Sequence, residues 1–412
     1  MTPPPNDSRQ PTPRRRLATL YAVVVIDLIG FGVVIPILPF YAESYGASAT
    51  VLGLLLTSYA GMQFLFAPVW GRLSDRYGRR PILLSTIAGT ALALTGLGLA
   101  SALPWIFVAR IAGGMFGANI SVASAYIADA TDEDERTKYM GLLGASFAVG
   151  FILGPAIGGV LAPYGYHVPL LLAAGLAAAN WVLAFFQLEE PVDVSQGVGK
   201  DETTVRSGGR FAWPSSRRAR WICLAYFVFV YSVSHLETVF AFLMMDQFGF
   251  DARQVALILV LMGIIMAGVQ GGAIRPLARR FGERRLWIVG TLILAPCLAI
   301  VPFVGTLWIL LLPLAAASIG RGLVHPSMLS LVSRASEKEE RGLVMGTFQS
   351  SASLARVAGP LAAGALYDWR LTAPFLAAAV LMLVVLGFGM ALDPAGIGGS
   401  PDGPESARRA RS

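Results

Sequence analysis

The chain has 412 residues, 55% of them apolar and 14% charged, with a formal net charge of +7. A water-soluble chain carries about 25% charged residues, so an ordinary soluble domain arrangement is excluded, and the mean hydropathy of +0.63 points to a protein embedded in lipid. The basic excess does not indicate nucleic acid, because Lys and Arg gather in short loops between apolar runs, and the two cysteines, Cys223 and Cys297, lie inside such runs and support neither a disulfide framework nor a metal cluster.

Taken in chain order, residues 1–16 form a Pro- and Arg-rich tail. The apolar run that follows is too long for a signal peptide and contains Asp27, so it reads as a retained first helix. Twelve spans follow from the breaks in hydropathy, at 17–41, 50–70, 81–101, 105–128, 138–162, 169–188, 219–243, 254–273, 286–304, 307–331, 342–367 and 372–391. Each can cross a hydrocarbon layer of about 30 Å at 1.5 Å per residue. The expected fold is all-α with twelve transmembrane helices. Its parts are a tail at 1–16, a six-helix lobe at 17–188, a polar linker at 189–218, a second six-helix lobe at 219–391 and a polar tail at 392–412.

Of the 32 Lys and Arg residues, 27 fall on the side that holds both termini, two (Arg253 and Arg370) on the other, and three (Arg110, Arg321 and Arg356) within spans. That bias places both termini in the cytoplasm. The halves repeat: Arg136 and Arg341, Met140-Gly141 and Met345-Gly346, and Gly154-Pro155 and Gly359-Pro360 are each 205 positions apart, and Gly78 and Gly282 differ by 204 in matching loops. Parallel six-helix repeats mark a two-lobed transporter with its site between the lobes near the midplane, lined mainly by spans 1, 4, 7 and 10.

Loop 2–3 carries Gly71, Asp75, Arg76, Gly78, Arg79 and Arg80. Its glycines permit a tight turn, and Asp75 can pair with the arginines or sit at a helix N-terminus, where negative charge is favoured. Span 5 carries Gly150, Gly154, Pro155, Gly158 and Gly159, with positions 150, 154 and 158 on one face. Small residues let backbones approach closely, and Gly263, Gly268, Gly271 and Gly272 give span 8 a similar surface, so spans 5 and 8 are expected to meet across the lobe interface.

Charges inside spans are the functional signal, since an ionised group at the bilayer centre costs about 2.5–3.5 kcal/mol on insertion scales. Of 25 acidic residues only Asp27 and Glu237 lie well inside spans. An acid held in oil and reached by a water-filled cavity can take up and release a proton. Counting 1.5 Å per residue from each span's middle puts Asp27 level with Arg321 and Arg110 level with Glu237; Arg110 also has the reach to approach Asp27. One or more such pairs is expected to form in only one open state. Asn119, Tyr59, Gln63, Tyr126, Tyr231, His235, Phe240, His325 and Gln349 are candidate cavity groups.

Several stretches together resemble the major facilitator superfamily, in particular the tetracycline-efflux-like drug:proton antiporters with twelve spans. Asp27 to Pro39 resembles that family's first-helix signature, residues 71–80 its loop 2–3 signature, Arg110 to Gly117 its proton-coupling signature and Gly150 to Gly159 its antiporter signature. Ala125 to Asp132, ahead of Arg136, is similar to tetracycline exporters. The resemblance implies two lobes, and a cytoplasmic charge network of Asp75 and Asp129 with Arg76, Arg79 and Arg136 that stabilises the outward-facing state. It also implies a role for Arg110 in tuning a nearby acid. Spans 3 and 9 lack the acids expected of tetracycline exporters, which argues against a tetracycline–metal chelate, and Arg279 stands where the repeat would put the counterpart of Asp75, so the second copy of the network is expected to be degenerate.

No nucleotide-binding loop occurs, so the energy source is an ion gradient. The expected function is export of hydrophobic or amphiphilic molecules, cationic ones included, in exchange for protons, by a monomer in a bacterial inner membrane. No enzyme activity, cofactor, metal or nucleic-acid partner is expected. Proton-linked uptake or facilitated passage of a metabolite on the same fold is the alternative, and a non-transporting receptor a remote one.

Overall fold

Repeated apolar runs, several of them bounded by a glycine turn or a polar cap, fold into helices that alternate in direction. The computed structural model describes residues 13–117, 119–131, 133–190, 213–336 and 340–392. The helices are α1 (Pro13–Glu43), α2 (Ala49–Tyr77), α3 (Arg79–Gly98), α4 (Leu103–Phe116 and Asn119–Ala130), α5 (Glu133–Leu161) and α6 (His167–Gln187), then α7 (Arg217–Phe248), α8 (Ala252–Gly268, a π turn at Val269–Ala273, and Ile274–Phe281), α9 (Glu283–Ile300), α10 (Leu307–Arg334), α11 (Arg341–Trp369) and α12 (Ala373–Ala391). Eleven of these are long and apolar enough to cross a membrane. The remaining one, α11, is 29 residues long but diluted by Gln349, Ser350, Ser351, Ser353 and Arg356, because much of its surface faces protein or water rather than lipid.

Caps set the starts of several helices. Ser48 accepts from Val51 N at α2, Ser216 from Ala219 N at α7, and Asp251 with Gln254 forms a reciprocal capping box at α8. Gly78 and Gly282, at φ +99° and +78°, turn the chain between α2 and α3 and between α8 and α9, in a conformation costly for any residue with a Cβ.

Inside the first lobe α1 lies against α5 through glycine. Gly32 opposes Gly150 and Gly154, Gly150 sits on Leu28, and a Cβ at Gly158 would stand 2.9 Å from the Val33 carbonyl oxygen. Spans 5 and 8 do meet across the lobe interface, but Gly150, Gly154 and Gly158 dock on α1 of their own lobe, close to Gly32 and to the backbone of Leu28 and Val33. Gly159, one position round the helix, does reach across the lobes to Ala256 of α8, and Gly263 lies 3.3 Å from Ile152.

Among the described residues, the hydrogen bonds and glycine contacts between the two lobes lie toward one end. There, where α1 turns into α2 and α11 into α12, the Asp368 carboxylate of α11 accepts hydrogen bonds from Ser48 Oγ (2.8 Å), Ala49 N (3.1 Å) and Thr50 N (3.0 Å). An anion at the N-terminus of α2 is well placed, since free amides and the helix dipole both favour it. Deeper in, Thr57 Oγ1 donates to Val357 O (2.8 Å) and Gly53 lies on Pro360. Toward the other end the contacts stop: Cβ atoms built on Gly144, Gly268, Gly271 and Gly272 would meet no atom within 4 Å. The lobes therefore enclose a cleft that is shut at the end of the α1–α2 turn and open at the end where the linker joins them.

Candidate functional site

The first lobe's part of the site is built around a break in α4. The first piece ends at Phe116, Gly117 leaves the helical pattern with its N–H on Gly114 O, and the second piece is described from Asn119 on; carbonyl groups freed here must find partners within the membrane. Two side chains of α2 supply them: Gln63 Nε2 donates to Gly117 O and Trp70 Nε1 to Met115 O, both at 2.5 Å. The restart brings Asn119 to Asp27, and Asn119 Nδ2 donates to Asp27 Oδ1 at 2.9 Å. Interrupted helices in transporters recurrently form the substrate and ion sites.

Arg110, on the first piece of α4, is 6% exposed and lies over the ring of Tyr59 at 4.0 Å, a cation–π arrangement. Tyr59 lies within electrostatic range of both Arg110 and Asp27. Among the described residues no acid stands within ion-pair distance of Arg110, and its Nε has no hydrogen-bond partner. The Asn119 Oδ1 is likewise buried and unpaired. Unsatisfied polar atoms are rare in native interiors, and two of them flank the one acid here. Phe31, a turn beyond Asp27, packs on Tyr59 and Phe151 (5.9 and 6.3 Å between centroids) and gives the site an apolar wall that sequence reasoning passed over.

In the second lobe Arg321 Nη2 bonds Glu237 Oε1 at 2.5 Å, with 52% of the Glu237 side chain exposed. Equal depth had pointed to Asp27 with Arg321 and Arg110 with Glu237. The ion pair found lies instead within one lobe, because depth ignores which helices are neighbours: α7 packs on α10. His325 lies beside Tyr226 (5.7 Å between centroids), which stacks on Phe348 of α11 at 3.7 Å. Gln349 is exposed toward the open part of α11.

Other candidates sit in packing. Tyr126 is fully buried and donates to the Glu189 carbonyl oxygen at 2.6 Å, so it braces the end of the first lobe and is not a cavity wall. Phe240 is 3% exposed within the hydrophobic core. His235 is 1% exposed and its Nδ1 lies 2.8 Å from Tyr231 O of its own helix, while the Tyr231 ring stacks on Phe227. Periodicity shows that such residues share a face but not what the face meets.

The open-end network has partners that were not foreseen. Arg79 bonds Asp75 (2.5 Å), Asp129 (2.7 Å) and Ser74 Oγ (2.6 Å), while Arg76 lies near the Tyr77 ring at 5.3 Å. Glu190, just after α6, accepts from Arg79 N (2.5 Å) and Arg80 N (3.0 Å) and so caps α3 beside Gly78. Arg80 Nη2 donates to Phe185 O at 2.6 Å. Gly71 has open space beside it. The Arg136 side chain lies outside the described residues. The second copy lacks the Asp75 contact, in keeping with Arg279 at that place, and the pair that remains is inverted in charge: Glu283 pairs with Arg334 at 2.7 Å and accepts from Ser330 at 3.2 Å.

The sequence matches the Major Facilitator Superfamily over residues 20–275 and 222–410. The chain belongs to that superfamily. It is 31% identical over 358 residues to the tetracycline resistance protein, class C, of Escherichia coli, covering 85% of this chain and 89% of the relative. Multidrug resistance protein 2 of Bacillus subtilis is 29% identical over 379 residues, covering 90% and 93%. The crystal structure of the human organic anion transporter TETRAN is 25% identical with a TM-score of 0.69, covering 92% of this chain and all of that one. A bacterial homologue of the human lysosomal transporter Spinster, solved in an inward-facing and occupied conformation, superposes with a TM-score of 0.74 at 14% identity, covering 92% and 97%. The chain is thus a multi-pass membrane transporter and not an enzyme, with drug-efflux proteins among its relatives.

Proposed function

We propose that the protein exports hydrophobic or amphiphilic small molecules in exchange for protons by alternating access, with Asp27 as the main proton carrier. The observation that carries this reading is the Asp27–Asn119 hydrogen bond at the break in α4, beside an Arg110 that has no acid partner. When Asp27 is protonated it needs no cation, and Arg110 rests on Tyr59. Loss of the proton creates a carboxylate for which Arg110 is the nearest free cation, and a shift of α4 that joins them favours the other arrangement of the lobes. Arg321–Glu237 holds α10 to α7 and responds second.

The Lys and Arg bias puts the open end of the cleft in the cytoplasm, so this is the state that receives cargo from inside the cell, in a bacterial inner membrane. The lobes, 17–188 and 219–391, rock about the closed end as a monomer, and the Asp368 latch releases when the outer side opens. One proton moving down about 100 mV supplies about 2.3 kcal/mol, roughly a fiftyfold gradient of a neutral molecule.

The test is dye transport in everted membrane vesicles with an imposed pH gradient. Asp27→Asn should abolish accumulation against a gradient while leaving downhill exchange. Uphill transport by this variant equal to the parent would remove Asp27 from the mechanism, and flux that follows the proton rather than opposing it would establish uptake.

A further inference from the structure

Arg356 is a charge for which proton exchange finds no use. It lies midway along the 29-residue α11, where contact with hydrocarbon would be costly. Four faces of that helix can be told apart. Phe348, Ala352, Ala355 and Gly359 are buried, and Phe348 and Gly359 meet Tyr226 and Ser234 of α7. Val357, Gly364 and Asp368 meet α2 on the opposite side. Of the two flanks between them, one exposes Leu343, Leu354 and Leu361, an apolar surface suited to lipid. The other carries Gln349, Ser353 and Arg356, spaced by four and three residues and so on one face.

That polar flank looks inward. It lies between the face on α7 and the face on α2 of the other lobe, away from the leucines, and the α7 neighbour Tyr226 stacks on Phe348 and lies beside His325 of α10. Arg321 is already engaged by Glu237. Arg356 has no carboxylate within 4 Å and no hydrogen bond to any described residue, and it is exposed. Among the described residues, the membrane-embedded charges of the second lobe around the cleft are therefore one carboxylate, Glu237, against two guanidinium groups, Arg321 and Arg356. One positive charge is left over in the second lobe, with Phe31 and Tyr59 supplying apolar wall in the first.

We propose that Arg356 is the anchor for an anionic head group, a carboxylate, sulfonate or phosphate, so that the preferred cargo is an amphiphilic organic anion. The planar fork of a guanidinium suits two oxygens of such a group, and Gln349 and Ser353 on the same flank add neutral donors. The inference rests on the transport reading above and replaces its expectation of cationic cargo.

The test uses purified protein in proteoliposomes with an imposed pH gradient and three probes: fluorescein as anion, N-phenyl-1-naphthylamine as neutral dye and ethidium as cation. Binding of fluorescein is followed separately by anisotropy. Arg356→Gln should weaken fluorescein binding about tenfold, as loss of one charge-assisted pair implies, and lower the fluorescein-to-naphthylamine flux ratio in proportion. Arg356→Lys should keep most of both, and Arg356→Met is read beside the Gln variant so that poor folding of one leaves the answer intact. An unchanged ratio, or an equal loss for all three probes, would make Arg356 a structural or switching charge and overturn the inference. A parent protein that moves naphthylamine but neither binds nor moves fluorescein also overturns it, while leaving transport in place. A parent that moves no probe overturns the transport reading and this inference with it.

Discussion

The two lobes solve the same problem at their open ends with opposite charges. In the first, the position after the glycine turn is Arg79, which pairs with Asp129 at the end of α4 at 2.7 Å. In the second, 204 residues on, it is Glu283, which pairs with Arg334 at the end of α10, also at 2.7 Å. The next residue keeps its sign. Arg80 donates to Phe185 O at the end of α6, and Arg284 donates to Gly389 O and Met390 O at the end of α12, where basic side chains suit the exposed carbonyls and the helix dipole. The repeat preserves a geometry, a helix start tied to two other helices, and is indifferent to which partner carries which charge. What differs is accumulation. The first lobe adds Asp75 and the Glu190 cap to its pair, whereas the second has Arg279 in place of Asp75 and open space beside Gly282.

The comparison can be broken most severely at the buried helix crossings. Gly154 and its counterpart Gly359 both face a neighbouring helix, but a Cβ at 154 meets the backbone of Gly32 and Val33, while one at 359 meets the Ser234 side chain at 2.6 Å. Backbone yields less readily than a side chain. Gly154→Ala should therefore destabilise the protein by about 2–3 kcal/mol and Gly359→Ala by about 1–2, the range for overpacking, as read from thermal unfolding in detergent. Equal losses would mean that the two crossings are equally tight.

A smaller effect is expected at the charged pairs. Arg79 is 14% exposed and touches two acids, and Arg334 is 59% exposed and touches one. Arg79→Ala should cost about 1 kcal/mol more than Arg334→Ala, since the exposed partner of a pair contributes little. The sharper experiment exchanges charges. Arg79→Glu with Asp129→Arg should recover transport lost by either change alone, as the second lobe's natural arrangement implies, whereas failure to recover would show that Asp75 and Glu190 demand a cation at 79.

The smallest effect belongs to the latch at the closed end. Among the described residues, the α2–α11 contact has an acid shared between lobes, Asp368, whereas at the α5–α8 contact Asp251 caps its own helix. Asp368→Asn should weaken closure by about 0.5–1 kcal/mol, the worth of an anion at an exposed helix N-terminus, seen as greater labelling by an outside reagent of a cysteine placed at Ala49, which is buried against α11 when the lobes are closed. Unchanged labelling would leave glycine packing as the sole determinant of closure.

Much of this architecture was legible beforehand. Apolar runs gave the span positions, and the doubled motifs foretold twin lobes and paired glycine turns at Gly78 and Gly282. Asp27 stood out because an acid in a span is costly. The partners were harder to read. The glycine face of α5 announces a close neighbour without saying that it is α1, Glu190 sits in a polar stretch with nothing to distinguish it from a linker residue, and the inverted pair at Glu283 and Arg334 looks like a lost motif until both ends are seen together. Arg356 reads from the sequence only as a basic residue within a span, because its meaning lies in having no carboxylate within 4 Å among the described residues, which no local pattern displays.

The account turns on Asp27 giving up its proton as cargo and lobes move, and the most direct measurement is proton release on ligand addition. Purified protein in weakly buffered detergent, with a pH-sensitive dye, is mixed with saturating transported probe. The parent should release a proton and Asp27→Asn should not, while Glu237→Gln retains most of the signal. Equal proton release by the parent and the Asp27 variant would contradict the mechanism at its centre.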